Sequence, residues 1–252
     1  MVLAVLYREF RIRAGSLTWT FFDLVVPLSY LLLFGIGLDR AFAQGLQVAG
    51  RTVPYDAFFL GGVLSMAGLG IAINTAYGFF VDRENGLFYE FLTYPMTRAQ
   101  FLVGKILFNA LLALVQALLT LAAGFFVMGI TFRADLLPGA LPAVMLGTAG
   151  WFFFLGSFAL RIRRNDMFNT FINVIYFVLM FASSMFYPLE SMPRWLRVIS
   201  LGNPLTWHTD VLRFLTVGVG EPTRVLAEGA AFGVFLLGSF LLALHTLRRG
   251  PQ

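Results

Sequence analysis

The chain is written in long apolar blocks separated by short polar ones. Six of these blocks, roughly 17–38, 57–81, 99–128, 138–160, 167–187 and 225–247, have the length and apolarity of bilayer spans, since a spanning helix needs about 20 mostly apolar residues. Strands of a membrane barrel would be about ten residues long and would alternate, which these blocks do not. The pattern predicts an all-α polytopic membrane protein with six transmembrane helices in one domain over 1–252. The third block is overlong and predicts a helix that begins at the interface, with Lys105 snorkelling back toward water. The fourth opens with Pro138 and Pro142, which suit a first helical turn or a kink.

Two shorter patterns lie outside the blocks. In residues 2–14, VLAVLYREFRIRA, Leu3, Leu6 and Phe10 share one helical face while Arg8, Arg11 and Arg13 fall largely off it. This predicts an N-terminal amphipathic interfacial helix lying on the membrane, the alternative being the basic flank of the first span. Between spans five and six, about 188–224, Pro193 opens RWLRVIS, and Asn203 with Pro204 forms an N-cap and first-turn pair before LTWHTDVLRFLTV. Neither segment is long enough to cross a bilayer, yet Trp195, Leu196, Trp207 and Leu212 are too apolar for a wet loop. A pair of interfacial or re-entrant half-helices satisfies both facts, with a loop resting in the aromatic belt as the alternative.

Composition removes whole classes of function. With 59% hydrophobic and 12% charged residues, the chain is not built as a soluble domain. A net charge of +5 would suit nucleic acid, but the basic residues sit in small groups between apolar blocks, so no nucleic-acid partner is expected. They orient the chain instead. Arg8, Arg11, Arg13, Arg83, Arg98, Lys105, Arg161, Arg163, Arg164, Arg248 and Arg249 fall on one side, against Arg40, Arg51 and Arg133 in the short opposite loops, while Arg194, Arg197, Arg213 and Arg224 sit in the one long connection, where the bias is less diagnostic. Positive residues stay inside, which predicts cytoplasmic N- and C-termini. Arg8, Glu9, Arg11 and Arg13 interrupt the first apolar stretch, against a cleaved signal peptide. The absence of cysteine excludes disulfides, thiolate metal sites and cysteine nucleophiles.

The chain also carries no engine. A phosphate-cradling GxxxxGK[ST] loop needs a lysine between glycine and a hydroxyl residue, and the single lysine, Lys105, lacks the earlier glycine. Ion coupling would call for charge near the bilayer midplane, where each costs about 2.5–3.5 kcal/mol on insertion scales. Asp23 is the best such residue and is placed near the interface. Uncharged polar residues inside the blocks, among them Asn74, Thr75, Asn109, Gln116, Asn169, Asn173, Ser183 and Ser184, suit interhelical hydrogen bonding. His208 and His245 lie far apart, against haem or metal ligation, and Ser191, His208 and Asp210 have no nucleophile motif around them. No catalytic residue, metal or cofactor is expected in this chain.

The segment DRENGLFYEFLTYPMTR, 82–98, follows its charges with Gly86 and then Leu87, Phe88, Phe91 and Leu92 at helical spacing, ending at Pro95. A short amphipathic helix there predicts a cytoplasmic handle for another protein.

These residues resemble the type-2 ATP-binding-cassette (ABC) export permeases, a family of bacterial drug, lipo-oligosaccharide and polysaccharide exporters. Arg83-Glu84-Asn85-Gly86 with Tyr94-Pro95-Met96-Thr97-Arg98 is similar to the family's inner coupling segment. Phe186-Tyr187-Pro188-Leu189, Pro193-Arg194-Trp195-Leu196 and Asn203-Pro204-Leu205-Thr206-Trp207, followed by Asp210 and Arg213, are similar to its outer pattern. The resemblance covers nearly the whole chain. It implies the permease subunit of an exporter in a bacterial plasma membrane, moving a drug, lipid or lipo-oligosaccharide, or alternatively a polysaccharide. It implies a second permease copy, in a homodimer or a heterodimer, with membrane lipid around the permeases, and two cytoplasmic ATPase subunits that bring ATP and Mg. By the same resemblance Arg83, Glu84, Gly86, Leu87, Phe88, Phe91, Leu92 and Pro95 would couple to the ATPase, helped by Arg8, Phe10 and Arg11 of the interfacial helix. Trp195, Asn203, Pro204, Trp207, His208, Asp210 and Arg213 would form the outer lid. Two features depart from the family: His208 stands where a small or apolar residue is usual, and the N-terminus lacks the Lys-Val-Arg-Tyr style of many polysaccharide permeases. Without the resemblance, an ion-coupled secondary transporter or channel remains the alternative.

Overall fold

The structure, a computed structural model, describes residues 2–42, 44–87, 90, 93 and 96–249. Its elements are α1 (Val2–Gly15), α2 (Leu17–Tyr30), α3 (Ile36–Ala41), β1 (Leu46–Val48), β2 (Arg51–Val53), α4 (Tyr55–Glu84), α5 (Arg98–Phe126), α6 (Leu137–Ala159), α7 (Asn165–Phe181), α8 (Arg194–Leu201), α9 (Pro204–Val217) and α10 (Pro222–Arg249). A π-helical turn, Leu31–Gly35, joins α2 to α3 a few residues after Pro27, whose missing N–H breaks the regular ladder.

Five stretches among the described residues are long and apolar enough to cross a membrane: Thr20–Asp39, Tyr55–Glu84, Arg98–Phe126, Leu137–Ala159 and Pro222–Arg248. They match five of the six apolar blocks. The block at 167–187 differs. Its helix, α7, begins at Asn165 and stops at Phe181, so its 17 residues span about 25 Å at 1.5 Å per residue, short of a hydrocarbon core of about 30 Å. Side chains end it. Asn203 Nδ2 donates to the carbonyls of Leu179 (2.8 Å) and Ala182 (2.7 Å), and Ser183 Oγ donates to that of Met180 (2.7 Å), so these three carbonyls at its end are satisfied without further helix.

The all-α expectation also needs correction at one place. β1 and β2 form an antiparallel hairpin with Leu46 opposite Val53 and Val48 opposite Arg51. Ala49 and Gly50, at φ 48° and 73°, make its tight turn, the left-handed pair that matches strand twist. Val48 and Val53 bury their side chains against Phe58 and Val219, which pins the hairpin to the bundle. The hairpin thus marks one end of the bundle, near the start of α4, and α1 the other, near its close.

α4 is the central post, packed against α2, α5, α6 and α9. It lacks an exposed polar face: Phe58, Phe59, Leu60, Val63, Leu64, Leu69, Phe79 and Phe80 are all essentially inaccessible. Aromatic contacts fasten its neighbours, with Phe80 stacked on Phe168 of α7 at 4.8 Å and Trp151 of α6 5.0 Å from Phe235 of α10. Phe152 and Phe153 are buried in this packing as interhelical fillers. α5 starts with a capping box: Gln100 N–H donates to Thr97 Oγ1, and the Thr97 N–H donates to Gln100 Oε1.

Candidate functional site: two polar networks at opposite ends of the bundle

At the α1 end, the interfacial-helix pattern acquires a second meaning. Leu3, Tyr7 and Phe10 are exposed, as a membrane-lying face requires, while Val5 and Glu9 are buried against the bundle. Arg8 and Arg13, predicted to leave the apolar face, do so by turning inward, and Arg11 stays exposed. Arg8 donates to Asp82 of α4 at 2.5 and 3.2 Å and to Glu9 at 3.0 Å. Lys105 of α5 donates to the same Asp82 at 2.7 Å and the same Glu9 at 2.9 Å. Lys105 is therefore not a snorkelling residue. It is 1% exposed, and its ammonium is satisfied by two carboxylates instead of by water.

A parallel set lies one step deeper. Arg13 donates to Asp23 of α2 at 2.7 Å and to Asn109 of α5 at 3.1 Å, and Asn74 of α4 donates to the other Asp23 oxygen at 2.5 Å. Arg8, Arg13 and Lys105 thus face Glu9, Asp23 and Asp82, so the charges cancel. Formal cancellation with every carboxylate hydrogen-bonded is the condition under which such groups are tolerated away from water.

The predicted ATPase-coupling residues adjoin this network directly, because Asp82 immediately precedes Arg83. Arg83 is buried and donates to the carbonyls of Ala159 (2.7 Å) and Ile162 (2.6 Å) and to Glu84 (2.8 Å), with its guanidinium 4.8 Å from the Phe80 ring. It fixes the end of α4 to the α6–α7 connection, whereas Glu84 and Gly86 are exposed and Leu87 is half-buried. Gly86 sits at φ 74°, with open space around it, so only its backbone conformation favours glycine. Phe88, Phe91, Leu92 and Pro95 lie outside the described residues.

At the hairpin end, α9 carries its own network. Arg213 is 3% exposed and donates to Asp210 (2.5 Å), the Ser184 carbonyl (2.8 Å) and the Phe58 carbonyl (2.9 Å), with its guanidinium 3.7 Å from the Phe58 ring. Asp210 also accepts from Ser184 Oγ (2.6 Å) and from Arg224 (3.1 Å), and Arg224 reaches Glu228 at 2.8 Å. Asn203 accepts from the Leu205 N–H at 2.9 Å, so the predicted N-cap forms, and Pro204 takes the first helical position. Trp207 Nε1 donates to the Leu201 carbonyl at 2.7 Å. Trp195 is exposed, as are Val198, Ile199 and Leu201 of the same short helix α8. In the loop between α5 and α6, Arg133 holds the Asp135 carboxyl below its ordinary pKa through a side-chain hydrogen bond.

His208 is a fastener. It lies between Ser65, whose Oγ is 2.8 Å from Nδ1, and the Ala143 carbonyl, 3.1 Å from Nε2. A carbonyl only accepts, so Nε2 carries the proton and Nδ1 accepts from Ser65. The ring stacks on Phe232 at 5.0 Å and fills the space over Gly147, where a Cβ would come within 2.1 Å of it. One imidazole thereby joins α4, α6, α9 and α10. Ser191, His208 and Asp210 are not assembled into a triad, since the last two have the partners just named.

Sequence reasoning missed Glu9 and Asp82 as partners of Lys105, and Ser65 and Gly147 as partners of His208. A signal was present in the first case, because a lone lysine within an apolar block requires a carboxylate or a route to water. Nothing local named which carboxylate.

Five apolar helices long enough to cross a membrane, with charges paired inside the bundle, define an integral membrane protein. The chain belongs to the ABC-2 type transporter family, whose model matches residues 2–216. It is 24% identical over 250 residues, 98% of this chain and 81% of the relative, to ycf38 of Pyropia yezoensis, named as a transport permease. It is 29% identical over 219 residues, 82% of this chain and 72% of the relative, to the daunorubicin resistance ABC transporter permease protein DrrB1 of Streptomyces coeruleorubidus. YbhR of Escherichia coli (strain K12), named as a multidrug ABC transporter permease, is 27% identical over 166 residues, covering 64% of this chain and 44% of the relative. The protein is thus a membrane subunit of an ABC transporter, not itself a catalytic enzyme, and the family implies a cytoplasmic ATPase subunit as its partner.

Proposed function

We propose that the chain is the permease of an exporter that moves an amphipathic substrate (a drug, a lipid or a lipo-oligosaccharide) out of the cytoplasm of a bacterial cell across its plasma membrane. In this reading two permease copies and two ATPase subunits make the working complex, and ATP with Mg binds in the ATPases. α7 serves as a sixth, short span, which places the α1 end and both termini in the cytoplasm and the hairpin end outside. The arginine bias of the loops supports that orientation. α8 and α9 then form the outer lid, one lying at the interface and the other re-entrant.

The observation that carries the reading is the continuity at the α1 end. Asp82, held by Arg8 and Lys105, is the last buried acid before the segment 83–95 that would meet the ATPase. A push on that segment moves the end of α4, and Asp82 passes the motion to α1 and α5, to which it is already bonded. DrrB1 and YbhR carry drug resistance and multidrug transport in their names, which favours an amphipathic small substrate over a polysaccharide.

The test is co-expression with candidate ABC ATPases and reconstitution in proteoliposomes. The complex should hydrolyse ATP and accumulate an amphipathic dye, and Glu84→Ala should lower hydrolysis without reducing membrane insertion. Transport driven by an ion gradient with no nucleotide would replace this reading with a secondary transporter. The absence of cysteine makes orientation directly testable: a cysteine at Arg164 should be labelled from the cytoplasmic side and one at Trp195 from the outside.

A further inference from the structure

Between α1, α4, α5 and α7 lies an open cavity of about 720 Å³, within the size range of small-molecule sites. Arg8, Arg13 and Lys105 look onto it, and in a basic chain such a wall invites the assignment of an anionic ligand. The pairing argues otherwise. Each of these cations is hydrogen-bonded to Glu9, Asp23 or Asp82, so their charge is already balanced and an entering anion would meet neighbouring carboxylates along with the cations.

The cavity instead offers neutral groups. α7 turns Asn169 and Asn173 toward it, and α4 turns Tyr77. Asn173 is exposed and donates to its own helix, at the Asn169 carbonyl (2.8 Å), which leaves its amide oxygen unpaired among the described residues. The Tyr77 hydroxyl likewise has no hydrogen bond there. Amides and phenols both donate and accept, the chemistry that pairs with hydroxyl and carbonyl groups. A polar stripe on an otherwise apolar helix is also costly unless it faces a cavity.

We propose that this cavity receives a neutral, hydroxyl-bearing headgroup and discriminates against an anionic one. The inference rests on the exporter reading for its purpose and narrows the substrate class at that site.

The purified full-length chain in zwitterionic nanodiscs provides the test. Radiolabelled dodecyl maltoside is displaced by unlabelled dodecyl maltoside, dodecyl phosphate and dodecyltrimethylammonium below their micellar concentrations, so the common tail cancels. The maltoside should displace at about tenfold lower concentration than either ion. The double variant Asn173→Ala/Tyr77→Phe removes the unpaired phenol and amide oxygen, giving up only the bond of Asn173 to the Asn169 carbonyl within its own helix, and should raise that midpoint about tenfold. Equal or better displacement by dodecyl phosphate, or an unchanged midpoint in the double variant, overturns the assignment. Either result leaves nucleotide-driven transport by the complex untouched, whereas absence of nucleotide-driven transport removes the exporter reading and leaves the headgroup preference standing.

Discussion

Arg8 and Asp82, 74 residues apart, are joined by two hydrogen bonds of 2.5 and 3.2 Å, so the helix that begins the chain is clamped to the last turn of its central post. Removing one partner of a buried ion network strands the others, at a cost of about 3–5 kcal/mol. Asp82→Asn should therefore lower the temperature at which the detergent-solubilised protein loses its monodisperse peak, and Lys105→Met should do the same. Arg8→Gln should do less, because its side chain is partly exposed and Lys105 still neutralises the acids. A double-mutant cycle between positions 8 and 82 should return a coupling of about 0.5–3 kcal/mol. Additive effects would mean that α1 is not held by this pair.

A second junction is testable by dissection of one side chain. Asn203 caps α9 with its oxygen and closes α7 with its nitrogen. Asn203→Ala loses both functions, and Asn203→Ser restores the cap acceptor alone. The serine variant should regain about 1 kcal/mol of the loss but leave the α7 carbonyls unpaired, so it should not reach the parent's thermostability. Equal stability of the serine variant and the parent would show that the two donated bonds contribute nothing.

Much of the fold was legible in periodicity and length, and the reason is local. Bilayer thickness and the need to satisfy backbone groups within one helix fix long apolar blocks regardless of their neighbours, and five of the six blocks reappear within about three residues at each end. Pro193, and Asn203 with Pro204, were legible for the same reason, since capping is decided within one turn. What the sequence hid was pairing at a distance. Lys105 looked interfacial because its partners Glu9 and Asp82 are 96 and 23 residues away. The end of α7 was hidden because Asn203, more than a turn beyond any local window, supplies its capping donors. The hairpin was missed because two three-residue strands carry too few positions to show alternation.

Gly86 separates backbone conformation from contact. It has φ 74° with nothing near its Cβ position, so Gly86→Ala should cost about 1 kcal/mol locally and lower coupled ATP hydrolysis by misdirecting the segment that follows. Asn, which enters the left-handed region more readily than Ala, should retain more hydrolysis. Equal hydrolysis by the parent, Ala and Asn variants would remove the turn from the coupling route.

The His208 junction makes the most discriminating case, because it predicts a rescue. Gly147→Ala places a methyl group 2.1 Å from the imidazole, in packing too tight to yield without displacing α9 or α6, and overpacking of this kind costs about 1–3 kcal/mol. Gly233→Ala is the control, with nothing within 4 Å of its Cβ position, and should be neutral or slightly stabilising through helix propensity. If the clash is with the ring itself, His208→Ala in the Gly147→Ala background should recover part of the lost thermostability, although alone it removes the bonds to Ser65 and Ala143 and destabilises. Opposite signs of the same substitution in two backgrounds cannot come from independent sites. Failure of His208→Ala to help the Gly147→Ala variant would place the strain elsewhere and remove the imidazole as the fastener of these four helices.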